Sequence, residues 1–205
     1  MPGHAYDVTF GHIVALSELQ AVFVDGQVLL GPWTIPAVSA GEPVAVEREP
    51  GLSCLGLVLR PTSEGSIAIT SADPDEAIRV EPNYFTTDHD RKTGADLLRR
   101  MRDILSRSPI ADRISHETYP GTDVQTDEEL VDSAVEGGYC GYHAVGTCAI
   151  GPSDDDVVDS KLRVRGVDGL RVVDCSVMPT MVAGNLNGPI MAMASRAVEL
   201  IRNEQ

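Results

Sequence analysis

The chemistry available to this chain is concentrated in its last third. His143 stands in Tyr142-His143-Ala-Val-Gly146-Thr147-Cys148, and Asn185 stands in Gly184-Asn185-Leu-Asn187-Gly188-Pro189. A histidine titrates near neutral pH, so it can take up or release a proton during a reaction. A lone histidine beside glycine and threonine is more often structural, and an asparagine after glycine is more often a turn or cap residue. The segment from Asn185 to Pro189 leads into an apolar, helix-forming run. The first amides of a helix lack intrahelical partners and attract negative charge. A group that is anionic, or becomes so during a reaction, would be stabilised there. Self-capping by Asn187 is the competing reading.

The elements that must position these residues are uneven along the chain. Residues 1–54 read as a loop-rich lead-in with a short strand at Gln27–Leu30 after the Asp25-Gly26 turn. Leu55–Arg60 and Ser66–Thr70 are β-type runs, and Pro61–Gly65 between them has hairpin chemistry. Ala77–Val80 is a candidate third strand. Asp90–Arg107 reads as a helix, with Leu97, Leu98, Met101, Ile104 and Leu105 on one face and Pro109 beyond its end. Asp96 with Arg100 and Arg99 with Asp103 have the spacing of helix ion pairs. Thr126-Asp-Glu-Glu129 is a capping box for a helix to about Val135. Leu170–Asp174 alternates as a strand does. Gly188-Pro189 opens a last helix to about Ile201, with proline at the favoured first position.

Strands and helices in mixed order imply an α+β fold with a mixed or antiparallel sheet and flanking helices. Three segments result: the lead-in 1–54, an α+β domain over 55–140, and a catalytic segment over 141–205. No G-x-G-x-x-G follows a strand, so the chain carries no nucleotide-binding fingerprint of its own.

Composition narrows the partners. The 205 residues carry a formal net charge of -15 and only 4% aromatics, which disfavours nucleic acid and anionic membrane surfaces. Cys54, Cys140, Cys148 and Cys175 form no C-x-x-C pair, and no metal-ligand spacing appears. The most apolar stretch, Ile13 to Leu30, is interrupted by polar residues and cannot be a membrane span. No secretory signal is visible in MPGHAYDVTF, and a cytoplasmic setting is the expectation.

The ordered set of motifs is more telling than any one of them. H-A-V-G-T-C from His143, the run from Val157 through Asp159, Leu162-Arg-Val and Gly169-Leu-Arg-Val-Val-Asp174 to Met178-Pro179, and Gly184-Asn-Leu-Asn-Gly-Pro189 resemble the C-terminal signature of glucose–methanol–choline oxidoreductases. Leu57 to Ile67 resembles the start of the same region. The resemblance spans about residues 55–202. It implies a substrate-binding α+β domain, plus a terminal strand and helix that complete an FAD-binding domain. It also implies FAD as cofactor and hydride transfer from an alcohol carbon to the flavin.

By motif position, His143 matches the catalytic base that removes the hydroxyl proton. Asn185 matches a second catalytic position that holds the substrate oxygen. Asp174 and Cys175 match a stretch meeting the FAD diphosphate, Leu186 and Asn187 match positions beside the flavin ring, and Tyr142 falls in the cofactor-binding set. The glycine-rich half of such enzymes has no counterpart here, so a separate FAD-binding chain is the expected partner and a small-molecule alcohol or sugar the expected substrate. The alternatives are a non-catalytic remnant that binds a partner, and a cofactor-independent lyase using His143 as base.

Overall fold

The computed structural model describes residues 6–12, 25–34, 46–138 and 141–203. Contacts divide the chain into two compact units. One comprises Met1–Glu64 with Asn83–Gly141, the other Gly65–Pro82 with Tyr142–Gln205.

The first unit is built on a four-stranded mixed sheet. β1 (Tyr6–His12), β2 (Gly26–Gly31), β3 (Gly51–Val58) and, later in the chain, the strand Ile114–Tyr119 lie in the order β2, β3, β1, Ile114–Tyr119. β2 is antiparallel to β3, while β1 runs parallel to both of its neighbours. The lead-in is therefore not simply loop. It supplies β1, β2 and the first residues of β3, because glycine and proline punctuation marks the strand ends and hides the strands between them.

The run at 55–60 does not pair with the run at 66–70. β3 pairs with β2 and β1, whereas β4 (Ser66–Ala68) pairs with β5 (Arg79–Glu81) in the second unit. Pro61–Gly65 is a connection held by something other than turn hydrogen bonds. The amides of Thr62 and Ser63 each donate at 2.8 Å to the carboxylate of Asp90. Asp90 is 2% exposed. Its burial opposes ionisation, but the hydrogen bonds from Ser63 and Thr62 outweigh it and hold the carboxyl below its usual range.

Asp90 lies in the first turn of α1 (Asp88–Leu105), whose N-cap Thr87 accepts from the Asp90 amide. Leu97, Met101 and Leu105 recur at i, i+4 and i+8 and are buried. Met101 and Leu105 form a cluster with Cys54 of β3. A Cβ at Gly56 would sit 2.9 Å from Leu97, so the absence of a side chain there lets helix and sheet approach closely. Burial pushes the Cys54 thiol up to about 12, which keeps it protonated and unreactive. The ion pairs on α1 differ from those the spacing suggests: Lys92–Asp96, Arg99–Asp96, Arg100–Asp103 and Arg107–Asp103.

After a 3₁₀ turn at Ala111–Arg113, Ile114–Tyr119 is β6. α2 (Asp127–Gly137) follows, with the capping box of Thr126 and Glu129 formed in both directions. Its Leu130 and Val131 pack with Ala95 of α1.

The second unit has little regular structure besides the β4–β5 ladder and α3 (Asn187–Arg202). Leu170–Asp174 is not a continuous strand; Arg171 makes one isolated bridge to Arg163. Val172 and Val173 both pack against the core, so the sequence alternation does not become alternation of faces. Pro189 occupies the third position of α3 rather than the first, which still spares a hydrogen bond because first-turn amides have no partner within the helix. No helix among the described residues is long and apolar enough to cross a membrane.

Candidate functional site

Every site residue singled out in the sequence lies in the second unit. Their segments converge on one apolar cluster of Val158, Leu162, Val177 and Ala197, against which Cys148, Ile150 and Met193 also pack. The stretch after His143 is pinned to the stretch after Cys175. The Cys148 amide donates to the Ser176 carbonyl and the Ile150 amide to the Val177 carbonyl, both at 2.9 Å. Gly146 makes the intervening bend at φ +89, a region glycine enters without strain. α3 brings Met193 and Ala197 to the same cluster and so fixes Asn185, two residues before its first turn.

Below the cluster, Asp159 ties the loop together. It accepts from Arg163 Nε at 2.8 Å and Nη2 at 2.7 Å, and from the amides of Lys161 and Arg163. These bonds, led by the Arg163 side chain, lower its pKa to about 2. The Asp159-x-x-Leu-Arg spacing is therefore a structural clasp.

The two candidate catalytic residues share an unusual feature. His143 Nε2 and Asn185 Oδ1 are both buried, and neither has a hydrogen-bond partner among the described residues. Leaving one such atom unpaired costs about 1–3 kcal/mol, and native proteins rarely tolerate it without a functional reason. Both atoms accept hydrogen bonds, given an unprotonated Nε2. Each can accept from a ligand that carries its own O–H or N–H donor.

The other positions divide by exposure. Asp174 is exposed, and its carboxylate caps the 3₁₀ turn Cys175–Val177 by accepting from the Ser176 amide at 2.8 Å. Cys175 is half-buried with a free thiol, as is Cys148. Leu186 is 3% exposed and belongs to the interior. Asn187 is the exposed first residue of α3 and its side chain does not cap the helix. The self-capping reading is thus corrected: the helix has no side-chain cap, and Pro189 has no N–H to offer, which leaves the amides of Asn187 and Gly188 without a side-chain acceptor among the described residues. A Cβ at Gly188 would meet nothing within 4 Å. Tyr142 is 90% exposed at φ +57. Among the described residues no cluster of His, Cys, Asp and Glu is arranged to hold a metal.

Known proteins resemble this chain over most of its length. The family model of GMC oxidoreductases matches residues 61–194. An oxygen-dependent choline dehydrogenase of Vibrio vulnificus is 38% identical over 148 residues, covering 71% of this chain and 26% of that protein. Among solved structures, pyridoxine 4-oxidase from Mesorbium loti superposes with a TM-score of 0.76 at 29% identity, covering 87% of this chain and 34% of the other. An FAD-dependent oxidoreductase from Chaetomium thermophilum gives a TM-score of 0.66 at 30% identity, covering 74% and 26%. The chain thus spans about a quarter to a third of the length of these relatives. On the family match and the shared fold, the chain belongs to the GMC oxidoreductase family.

Proposed function

We propose that this chain forms the C-terminal, substrate-side part of an FAD-dependent alcohol oxidoreductase, with His143 as base and Asn185 positioning the substrate oxygen. The observation that carries this reading is the pair of buried, unpaired acceptors, His143 Nε2 and Asn185 Oδ1. Nε2 takes the hydroxyl proton as the C–H bond is broken. Asn185, with its amide turned so that the N–H faces the site, donates to the substrate oxygen and leaves the single hydroxyl proton to the ring nitrogen.

The residues around α3 fit FAD. Uncapped amides at Asn187 and Gly188 offer donors and positive potential to an electron-rich edge, and the bare face of Gly188 leaves room for a close approach. Asp174, Cys175, Leu186, Asn187 and Tyr142 are the residues that would hold it. When bound, FAD supplies the hydride acceptor. The dinucleotide-binding half comes from a separate chain in this reading, and the substrate is a small alcohol or sugar.

The test is single-turnover flavin reduction in the assembled, flavin-loaded enzyme. His143→Ala is expected to slow reduction by about 10²–10⁴-fold, the span of general base catalysis, with substrate binding less affected. Near-normal reduction would remove His143 from the mechanism.

A further inference from the structure

The β4–β5 ladder is an amphipathic ribbon. Ile67 pairs with Val80 across the strands, and beyond the Ala68–Arg79 pair Ile69 and Ile78 are next in register. Side chains alternate between the two faces of a strand, so these four β-branched residues share one face. Ser66, Ala68, Arg79 and Glu81 lie on the other. There Ser66 Oγ donates to the Glu81 carboxylate at 3.2 Å, and Arg79 pairs with Glu81 at 3.6 Å.

The polar face is thus satisfied within the ribbon, and the apolar face is not. Ile67, Ile69, Ile78 and Val80 are all exposed, Ile69 to 84%. Neither strand is hydrogen-bonded to any other strand among the described residues. A lone two-stranded ribbon is marginal in water, and one with an apolar face calls for a surface to pack on. The family match over residues 61–194 includes the ribbon, so it belongs to the shared fold.

Length, charge and area bear on what covers it. This chain spans 26% of the choline dehydrogenase and 34% of pyridoxine 4-oxidase, so in both the same fold is joined to a much larger remainder. Residues 71–77, between the strands, carry Asp73, Asp75 and Glu76 and no lysine or arginine. With a net charge of -15, a second copy of this chain would bring like charge to like. Four partly exposed side chains also fall well short of the roughly 800 Å² that each partner gives to a stable interface. A large partner can add other contacts, and the exposed Met191 and Val198 of α3 in the same unit offer further apolar surface.

We propose that the β4–β5 ribbon is a docking element for the FAD-binding half. Ile67, Ile69, Ile78 and Val80 seat on an apolar strip of that partner, and the Asp73–Glu76 turn meets a cluster of lysine or arginine beside it. This rests on the reading above that the FAD-binding half comes from a separate chain.

The test titrates the 205-residue chain onto its flavin-loaded FAD-binding chain and reads affinity and association rate. Ile69→Thr with Ile78→Thr keeps β-branched residues in the ribbon and removes apolar surface. It is expected to weaken binding by about 10- to 100-fold, the worth of burying one aliphatic side chain. Asp75→Lys with Glu76→Lys is expected to slow association about tenfold at low salt and to lose that effect in high salt. The melting temperature of the unbound chain is expected to stay the same in both variants. The inference is overturned if wild type assembles and either variant matches it, an outcome that leaves the two-chain reading standing. A marked fall in the melting temperature of either unbound variant would also overturn it, because the chain's own residues would then cover the ribbon. So would a wild-type dimer that Ile69→Thr with Ile78→Thr dissolves. If the wild-type chain does not bind the FAD-binding chain at all, the two-chain reading and the ribbon's role fall together.

Discussion

Asn185 has no proton to take up at neutral pH, so whatever it contributes to a reaction must pass through hydrogen bonding. Its buried, unpaired Oδ1 is consistent with a group waiting for a ligand. Replacing it by alanine is expected to raise the barrier to flavin reduction by about 2–4 kcal/mol, as for one well-aimed hydrogen-bonding group. Histidine at the same position is expected to keep much of the rate and add a second titrating group to the pH profile. The rate must be read per bound flavin. If alanine lowers flavin retention but leaves that rate normal, Asn185 only shapes the turn before α3.

Asp159 behaves differently, because its role is to hold a loop. With its pKa lowered to about 2 by Arg163, the folded protein binds fewer protons than the unfolded one between that value and the ordinary carboxylate range. Its stabilising contribution is complete above the ordinary pKa and is lost as pH falls through about 2. Acid unfolding of wild type and Asp159→Asn is therefore expected to differ at neutral pH and to converge near pH 2. A difference that persists unchanged to lower pH would contradict the clasp.

At the scale of elements, the first unit is fastened by Arg102 near the end of α1. Its guanidinium donates to both oxygens of Glu117 on β6 and to the carbonyls of Gly121 and Val124, at 2.6–3.3 Å. Helix, strand and the loop between β6 and α2 thus share one side chain, with Arg102 19% and Glu117 11% exposed. Arg102→Met strands a shielded carboxylate and two carbonyls. Chemical denaturation is expected to show a loss of about 3–5 kcal/mol. Arg99 offers the contrast. Its pair with Asp127 is solvent-exposed, and Arg99→Met is expected to cost at most about 1 kcal/mol. Equal losses for the two variants would mean that burial is not what sets their value.

At the scale of the molecule, α3 has two apolar sides with different fates. Met193 and Ala197 are spent on the second unit's own cluster. Met191, Val198 and Ile201 are 64%, 48% and 36% exposed and repeat at helical spacing. Such a stripe is unfavourable in water and suits a protein interface. If the FAD-binding half is a separate chain, Met191 and Val198 should lie where it docks. Met191→Glu with Val198→Glu is expected to abolish co-purification with that chain and to reduce binding of a hydrophobic dye, without unfolding the second unit. The 205-residue chain by itself is expected to show no stoichiometric flavin absorbance. A yellow, flavin-loaded preparation of the chain alone would overturn the two-chain arrangement.

Much of this was legible in the sequence because it depends on near neighbours. The capping box at Thr126, the apolar face of α1 and the approximate span of α3 are set within a few residues, and local hydrogen bonding and periodicity dictate them. The ordered motifs from His143 to Pro189 identified the family for the same reason, since each is a short local device such as the Asp159–Arg163 clasp or the bend at Gly146.

Tertiary structure decided what lies far apart in the chain. Pro61–Gly65 has the composition of a hairpin turn, yet Asp90, 27 and 28 residues away, supplies its hydrogen bonds and sends the flanking strands to different units. Leu170–Asp174 alternates like a strand, but a strand needs a partner along its length and finds one bridge. That His143 Nε2 and Asn185 Oδ1 are buried and unpaired carries no signal in their sequence neighbours. Whether a side-chain atom is buried and unpaired depends on everything packed around it, and only the assembled fold determines that.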